Sequence, residues 1–208
     1  MKKQLLLFDF DGTIADTFHH IIEISNRLAA EFSFNLIQPH EIETLKDSTV
    51  EQTIEYLKVP KLKIPQILFR ARDELHGAIA DVQPITDLAE ILHQLKALGY
   101  MMGIITTNSG KNVRTFLAQH DLNIFDFVSS TSKVFGKSRS LRRLVKKHNF
   151  HLDQAYYIGD EIRDIRAARK AGITVVAVTW GFNSKNSLEE HAPDYLVDTP
   201  EQLIKVCA

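Results

Sequence analysis

The strongest constraint on this chain is an alternation that begins after Pro84. Leu88, Ile91, Leu92, Leu95 and Leu98 recur at helical spacing up to Gly99, a natural helix-ending residue. Residues 101–105 then read as a strand, Val113, Phe116 and Leu117 as a helix, and 127–128 as a short strand. Leu141, Leu144 and Val145 mark a helix, and 155–158 a strand. Ile162, Ile165 and Ala168 mark another helix, closed by Gly172, and 174–178 is a strand rich in β-branched residues. A chain that alternates in this way buries parallel strands between two layers of helices. Leu5, Leu6, Leu7 and Phe8 form a continuous apolar run, the pattern of a strand covered on both faces, and they join the same sheet.

Between that first strand and Pro84 the pattern is helical throughout. Phe18, Ile21, Ile22, Leu28, Ala29 and Phe32 share one helix face, with Asp16 or Thr17 as the expected N-cap. Val50, Ile54 and Leu57 make a second helix that Pro60 ends, and Ile64, Ile67, Leu68, Ala71, Leu75, Ala78 and Ile79 a third. The expected organisation is an α/β core made of residues 1–15 and 84–208, interrupted by a helical insertion at 16–83.

Composition narrows the function. Lys and Arg number 25 and Asp and Glu 26, for a net charge of −1, so there is no bulk electrostatic case for nucleic acid. Cys207 is the one cysteine, which excludes an internal disulfide. Lys2, Lys3 and the apolar run resemble the start of a signal peptide. Asp9 and Asp11 cut that run short of the roughly 7–15 residues such a segment needs, and of the roughly 20 that span a membrane. A cytoplasmic protein, monomer or homodimer, without nucleic-acid or membrane partners, is the expectation.

In a parallel α/β sheet, ligands bind at the carboxyl ends of the strands. Polar clusters follow the strands there: Asp9 and Asp11; Thr106, Thr107 and Asn108; Gly136, Lys137 and Ser138; Gly159, Asp160 and Asp164. Asp9 and Asp11, two residues apart, point to one side if the strand geometry continues. Asp160 and Asp164 share a face of a helix's first turn. Carboxylates crowded together raise one another's pKa, a cost that a hard divalent cation with oxygen ligands removes. Lys137 and the Thr107 hydroxyl suit a phosphoryl group beside that cation.

These residues resemble a known family. Asp9-Phe10-Asp11-Gly12-Thr13-Ile14-Ala15-Asp16 is similar to the first motif of the haloacid dehalogenase (HAD) superfamily, Thr107 to its second, Lys137 to its third and Gly159 to Asp164 to its fourth. The segments 167–173 and 178–182 resemble the phosphoglycolate phosphatase-like branch. The resemblance implies a Rossmann-like core with an inserted C1-type helical cap, and a Mg²⁺-dependent phosphatase acting on small phosphate monoesters. It implies Asp9 as nucleophile and Asp11 as acid and base. It implies Mg²⁺ held by Asp9, the Asp11 backbone carbonyl, Asp160 and Asp164, and phosphoryl oxygens bound by Thr107, Asn108 and Lys137. A dehalogenase needs no metal and typically lacks an acid at the position of Asp11. A phosphomutase would share every core residue, and a non-catalytic phosphate-binding module would need none of the acid chemistry.

Other residues have plainer expectations. Thr13 and Asp16 are expected to shape the turn and cap the next helix, and Glu161 to be a first-turn acid favoured by the helix dipole. Trp180 and Phe182 are expected to pack or to anchor their loop. Thr106 and Lys133 compete with Thr107 and Lys137, which the spacing favours. The nine histidines contain no convincing metal pair, and Arg142, Arg143, Lys146 and Lys147 read as an outer helix face. Arg27, Lys46, Arg70 and Arg72 are the insertion's candidates for contact with an anion, with plain surface exposure as the default.

Overall fold

The structure is a computed structural model and describes residues 4–131 and 136–207. Lys133 lies outside them. Strands β1 (Leu5–Phe8), β2 (Met101–Thr106), β3 (Phe127–Ser130), β4 (Ala155–Gly159), β5 (Thr174–Val178) and β6 (Tyr195–Val197) form one parallel sheet in the order β3-β2-β1-β4-β5-β6. β1 is central: Leu5 pairs with Met101 on one side and Ala155 on the other, and Phe8 with Ile104 and Ile158. All four of its residues are buried. Leu6 and Phe8 enter one hydrophobic cluster with Leu92, Phe116 and Leu203, while Leu5 and Leu7 enter another with Leu141, Ile165 and Leu188. The period-2 alternation of one strand thus serves two cores, which is why the run is apolar throughout.

Ten α-helices are described: α1 (Phe18–Phe32), α2 (Ile42–Lys46), α3 (Val50–Tyr56), α4 (Ile64–Ala78), α5 (Leu88–Ala97), α6 (Gly110–Gln119), α7 (Lys137–Lys147), α8 (Ile162–Ala171), α9 (Lys185–Glu190) and α10 (Glu201–Cys207). Between β1 and β2 the chain is helical, and α1 and α4 pack together through Leu28, Phe32, Leu75 and Ile79. That segment leaves and returns at one point. Asp16 N donates to Gln83 O at 2.9 Å, Ile85 N donates to Ile14 O at 2.9 Å, and Ala15 bridges Pro84.

The chain is helical and extended where the periodicity places helices and strands, and some elements run further. β2 reaches Thr106, β3 Ser130 and β4 Gly159, because these polar or small residues still pair in the ladder, Thr106 with Ser130 and Gly159 with Ala177. Three elements, α9, β6 and α10, follow β5 without a clear periodic signal, since each is short and partly polar. α2 is likewise missing from the periodic reading. The expected cap of α1 is a correction. Thr17 occupies the N-cap position but makes no side-chain cap, because its backbone (φ −96°, ψ 0°) is already helical and does not present the hydroxyl to the first turn. Arg142 is not idle surface charge, since it donates to the Lys170 and Ala171 carbonyls at 2.7 and 3.0 Å and satisfies the end of α8.

Candidate active site

The loops after β1, β2 and β4 and the start of α7 meet at the carboxyl edge of the sheet, where the strand order turns back past β1. Asp9 lies just past β1 and is buried. Phe10 N donates to its Oδ1 at 2.8 Å, and Lys137 Nζ to its Oδ2 at 2.6 Å. Lys137 also donates to Asp164 Oδ1 at 2.7 Å, so one buried ammonium bridges two buried carboxylates. Asp164 Oδ1 further accepts from Tyr157 Oη at 3.0 Å, and Asp164 Oδ2 from Glu161 N at 3.2 Å. Asp160 accepts from Thr13 Oγ1 at 2.6 Å and Phe182 N at 2.8 Å. A carboxylate oxygen from each of Asp9, Asp160 and Asp164 lies within 4.8 Å of the others.

Space for Asp160 is made by backbone without side chains. A Cβ on Gly12 would lie 2.3 Å from Asp160 Oδ2, and one on Gly181 2.2 Å from it. Gly12 also has φ +74°, which disfavours any other residue there.

Asp11 is turned aside from the other three acids. Asn108 Nδ2 donates to its Oδ1 at 2.9 Å and its Oδ2 at 3.3 Å, so its side chain is not part of the three-carboxylate cluster. Asn108 is itself fixed: its N donates to Thr106 Oγ1 at 2.9 Å, and Asn112 Nδ2 donates to its Oδ1 at 3.0 Å. The Thr106 hydroxyl is therefore buried and occupied, while Thr107 is half-buried.

The electrostatics follow from burial. Desolvation raises Asp9 despite Lys137, and raises Asp160 far above the ordinary carboxylate range, with Glu161, Asp164 and Asp9 adding repulsion. Asp11 is pushed up to about 6 by burial and by the Asp9 charge, against the lowering effect of Asn108 and Thr17. Burial alone would lower Lys137, but Asp164 and Asp9 more than offset it. The donor set is all carboxylate and the net local charge is negative, which fits a hard divalent cation such as Mg²⁺.

Several residues have sharper placements than the sequence allowed. Thr13 does more than shape the turn, because its hydroxyl holds Asp160. Glu161 sits at the N-cap of α8 as a buried acid paired with Arg163, and burial pushes it up to about 7. Trp180 anchors its loop, its Nε1 donating to Thr13 O at 3.2 Å. Phe182 meets Phe18 edge-on at 5.3 Å between ring centres. Next to this pair an apolar cavity of about 220 Å³, lined by Phe18, Ile22, Leu45 and Ile54, lies among α1, α2 and α3. Tyr157 and Asn183 are functional neighbours that the sequence did not signal. A tyrosine in a strand reads as packing, and Asn183 has no local motif around it. Asn183 Oδ1 accepts from Ile162 N at 2.9 Å, and its Nδ2 donates to Lys46 O at 2.7 Å and Ser48 O at 3.0 Å.

Comparison with known proteins agrees with the fold. Residues 6–178 match the family model described as haloacid dehalogenase-like hydrolase. A phosphoglycolate phosphatase of Synechococcus elongatus is 31% identical over 203 residues, covering 97% of this chain and 96% of that protein. A pyrophosphatase of Bacillus mycoides, PpaX, is 25% identical over 211 residues, covering 99% of this chain and 97% of that one. Among solved structures, a haloacid dehalogenase-like hydrolase of Streptococcus pneumoniae superposes with a TM-score of 0.79 at 22% identity, covering 99% of each chain. With the motif carboxylates and Lys137 gathered at one sheet edge and the family model spanning most of its length, this chain belongs to the haloacid dehalogenase-like hydrolases.

Proposed function

We propose that the protein is a phosphatase that hydrolyses small phosphate monoesters with Mg²⁺ through a phosphorylated Asp9. What carries the reading is the geometry of the acids: Asp9, Asp160 and Asp164 converge on one point, two of them (Asp9 and Asp164) bridged by Lys137, while Asp11 stands apart with its own partner and is pushed up to about 6.

In this reading Asp9 attacks phosphorus in line with the leaving oxygen. Phe10 N and Lys137 hold its two oxygens and limit the directions from which it can react. The bond from phosphorus to the leaving oxygen breaks, and Asp11 gives that oxygen its proton. In the second half-reaction Asp11 takes a proton from water, the water oxygen bonds to phosphorus, and the bond to Asp9 breaks to release phosphate. A pKa near neutrality suits a group that must both give and take a proton. Thr107 and Lys137 would bind the phosphoryl oxygens, whereas the Asn108 backbone N–H is taken by Thr106 Oγ1. Asp9, Asp160, Asp164 and the Asp11 carbonyl would hold Mg²⁺, which supplies charge neutralisation for the approaching dianion.

Residues 16–83 act in this reading as a cap over a core of 1–15 and 84–208. The adjacent exit and return at Asp16 and Gln83 support that division. A cytoplasmic enzyme with a small-molecule partner is part of the same reading, and no described helix is long and apolar enough to cross a membrane. The names of the similar proteins, a phosphatase and a pyrophosphatase, favour hydrolysis over a mutase.

The test is purified protein with an aryl phosphate. Turnover is expected with Mg²⁺, abolished by EDTA, and reduced about a thousandfold or more in Asp9→Asn. Turnover without metal, or an active Asp9→Asn variant, would sink the proposal.

A further inference from the structure

Arg27, Lys46, Arg70 and Arg72 are the cations that the helical segment could present to an anion, and the structure separates them. Arg27 Nε lies 2.8 Å from Glu74, and Arg70 Nη2 lies 3.3 Å from Glu31 and 3.8 Å from Glu74. Lys46 lies 3.6 Å from Glu43 and 4.9 Å from the centre of the Phe18 ring. Each of these three has an acid of its own segment. Arg72 differs: among the described residues it forms no ion pair.

Arg72 is half-buried on α4, and its Nη2 donates to Thr131 O, just past β3, at 3.3 Å. Its place relative to the site is fixed through its own backbone. Asn112 Nδ2 donates to Arg72 O at 3.1 Å and to Asn108 Oδ1 at 3.0 Å, and Asn112 Oδ1 meets His76 Nδ1 at 2.8 Å. Asn108 in turn holds the Asp11 carboxylate. A continuous run of hydrogen bonds therefore joins the backbone of Arg72 to Asp11. Burial lowers the guanidinium's pKa, and Asp11 is the carboxylate whose charge opposes that effect. A guanidinium offers five N–H donors in a planar fork that fits a carboxylate or a phosphate, and Thr131 O takes one of them.

We propose that Arg72 binds a second anionic group of the substrate, so that the preferred phosphate compounds carry a carboxylate or a further phosphate on the leaving side. The inference rests on the proposed function, because Asp11 marks the leaving side only as the acid that protonates the leaving oxygen. It deepens that function by choosing a substrate class: phosphate compounds with two anionic ends a short distance apart.

The experiment compares glycolate 2-phosphate, ethyl phosphate and inorganic pyrophosphate on one preparation with Mg²⁺. Glycolate 2-phosphate and ethyl phosphate differ by the carboxylate, and pyrophosphate replaces it with a second phosphate, so the arms distinguish the two anions. The wild type is expected to prefer one of the two doubly anionic compounds over ethyl phosphate in kcat/KM. Arg72→Met should lower that ratio about tenfold to a hundredfold, the range for a charged hydrogen bond, mainly through KM. Arg72→Lys should keep part of the preference. The ratio is measured within one sample, so partial misfolding of a variant cancels. A ratio unchanged by Arg72→Met, or a wild type that turns over ethyl phosphate as well as the anionic compounds, overturns the assignment of Arg72 alone. No turnover of any phosphate ester overturns the proposed function itself.

Discussion

Lys137 Nζ lies 2.6 Å from Asp9 Oδ2, a buried ion pair between residues far apart in the chain. The same ammonium meets Asp164 at 2.7 Å. Lys137 is thus a neutralising centre for two acids that would otherwise repel.

Replacing it tests that role. Lys137→Met leaves two buried carboxylates without their cation, a change that typically costs about 3–5 kcal/mol. Thermal unfolding in EDTA should show a large loss of stability. Added Mg²⁺ should recover part of it, because a divalent ion neutralises the same acids. A variant that unfolds like the wild type would show that the bridge contributes little.

Stability should also depend on metal and pH together. Asp9, Asp11 and Asp160 all have folded pKa values raised above the ordinary carboxylate value, Asp11 to about 6. A raised carboxylate in the folded state opposes folding once it must ionise, so the penalty is absent below the unfolded value, grows as pH rises through the folded value, and is full above it. For Asp11 alone the shift from 3.8 to about 6 corresponds to about 3 kcal/mol. Metal-free protein should therefore gain stability as pH falls from 8 toward 5. The rise in Tm caused by Mg²⁺ should be largest near pH 8 and shrink across the same window. An increment independent of pH would contradict a cation held by these acids.

Asn183 ties the α2–α3 connection to the sheet edge. Its amide serves Lys46 O and Ser48 O on one side and Ile162 N on the other. Ser184 N also donates to Lys46 O at 3.0 Å, and Ser184 Oγ pairs with Asp47. Asn183→Ala would leave the buried Ile162 N unpaired, at a cost of about 1–3 kcal/mol. Amide exchange at Ile162 and in residues 46–49 should speed up, while the centre of the sheet at β1 stays protected. Unchanged exchange there would mean that the remaining contacts suffice to hold the connection.

Much of this architecture was legible because its signals are local. The apolar run at Leu5–Phe8 and the helical spacing after Pro84 each lie within a few residues, and burial on both faces leaves β1 no polar position. The site acids were legible for the same reason, each following a strand end that periodicity had already placed. The elements that escaped were short. β6 is three residues at the sheet edge, and α9 is six residues rich in polar side chains, too few for a period to emerge.

The sequence by itself determined the class of sheet, the helical interruption after β1, and the set of residues that reach the carboxyl edge: Asp9, Asp11, Asn108, Lys137, Asp160 and Asp164. Tertiary structure decided how that set divides. It put Lys137 between Asp9 and Asp164, turned Asp11 onto Asn108, recruited Thr13 and Tyr157 as donors, and, among the described residues, left Arg72 without an ion pair while Arg27, Lys46 and Arg70 found theirs. Secondary structure follows from neighbours in sequence, whereas a hydrogen-bond partner is chosen from whatever the fold brings within about 3 Å, and most of these partners are remote in the chain.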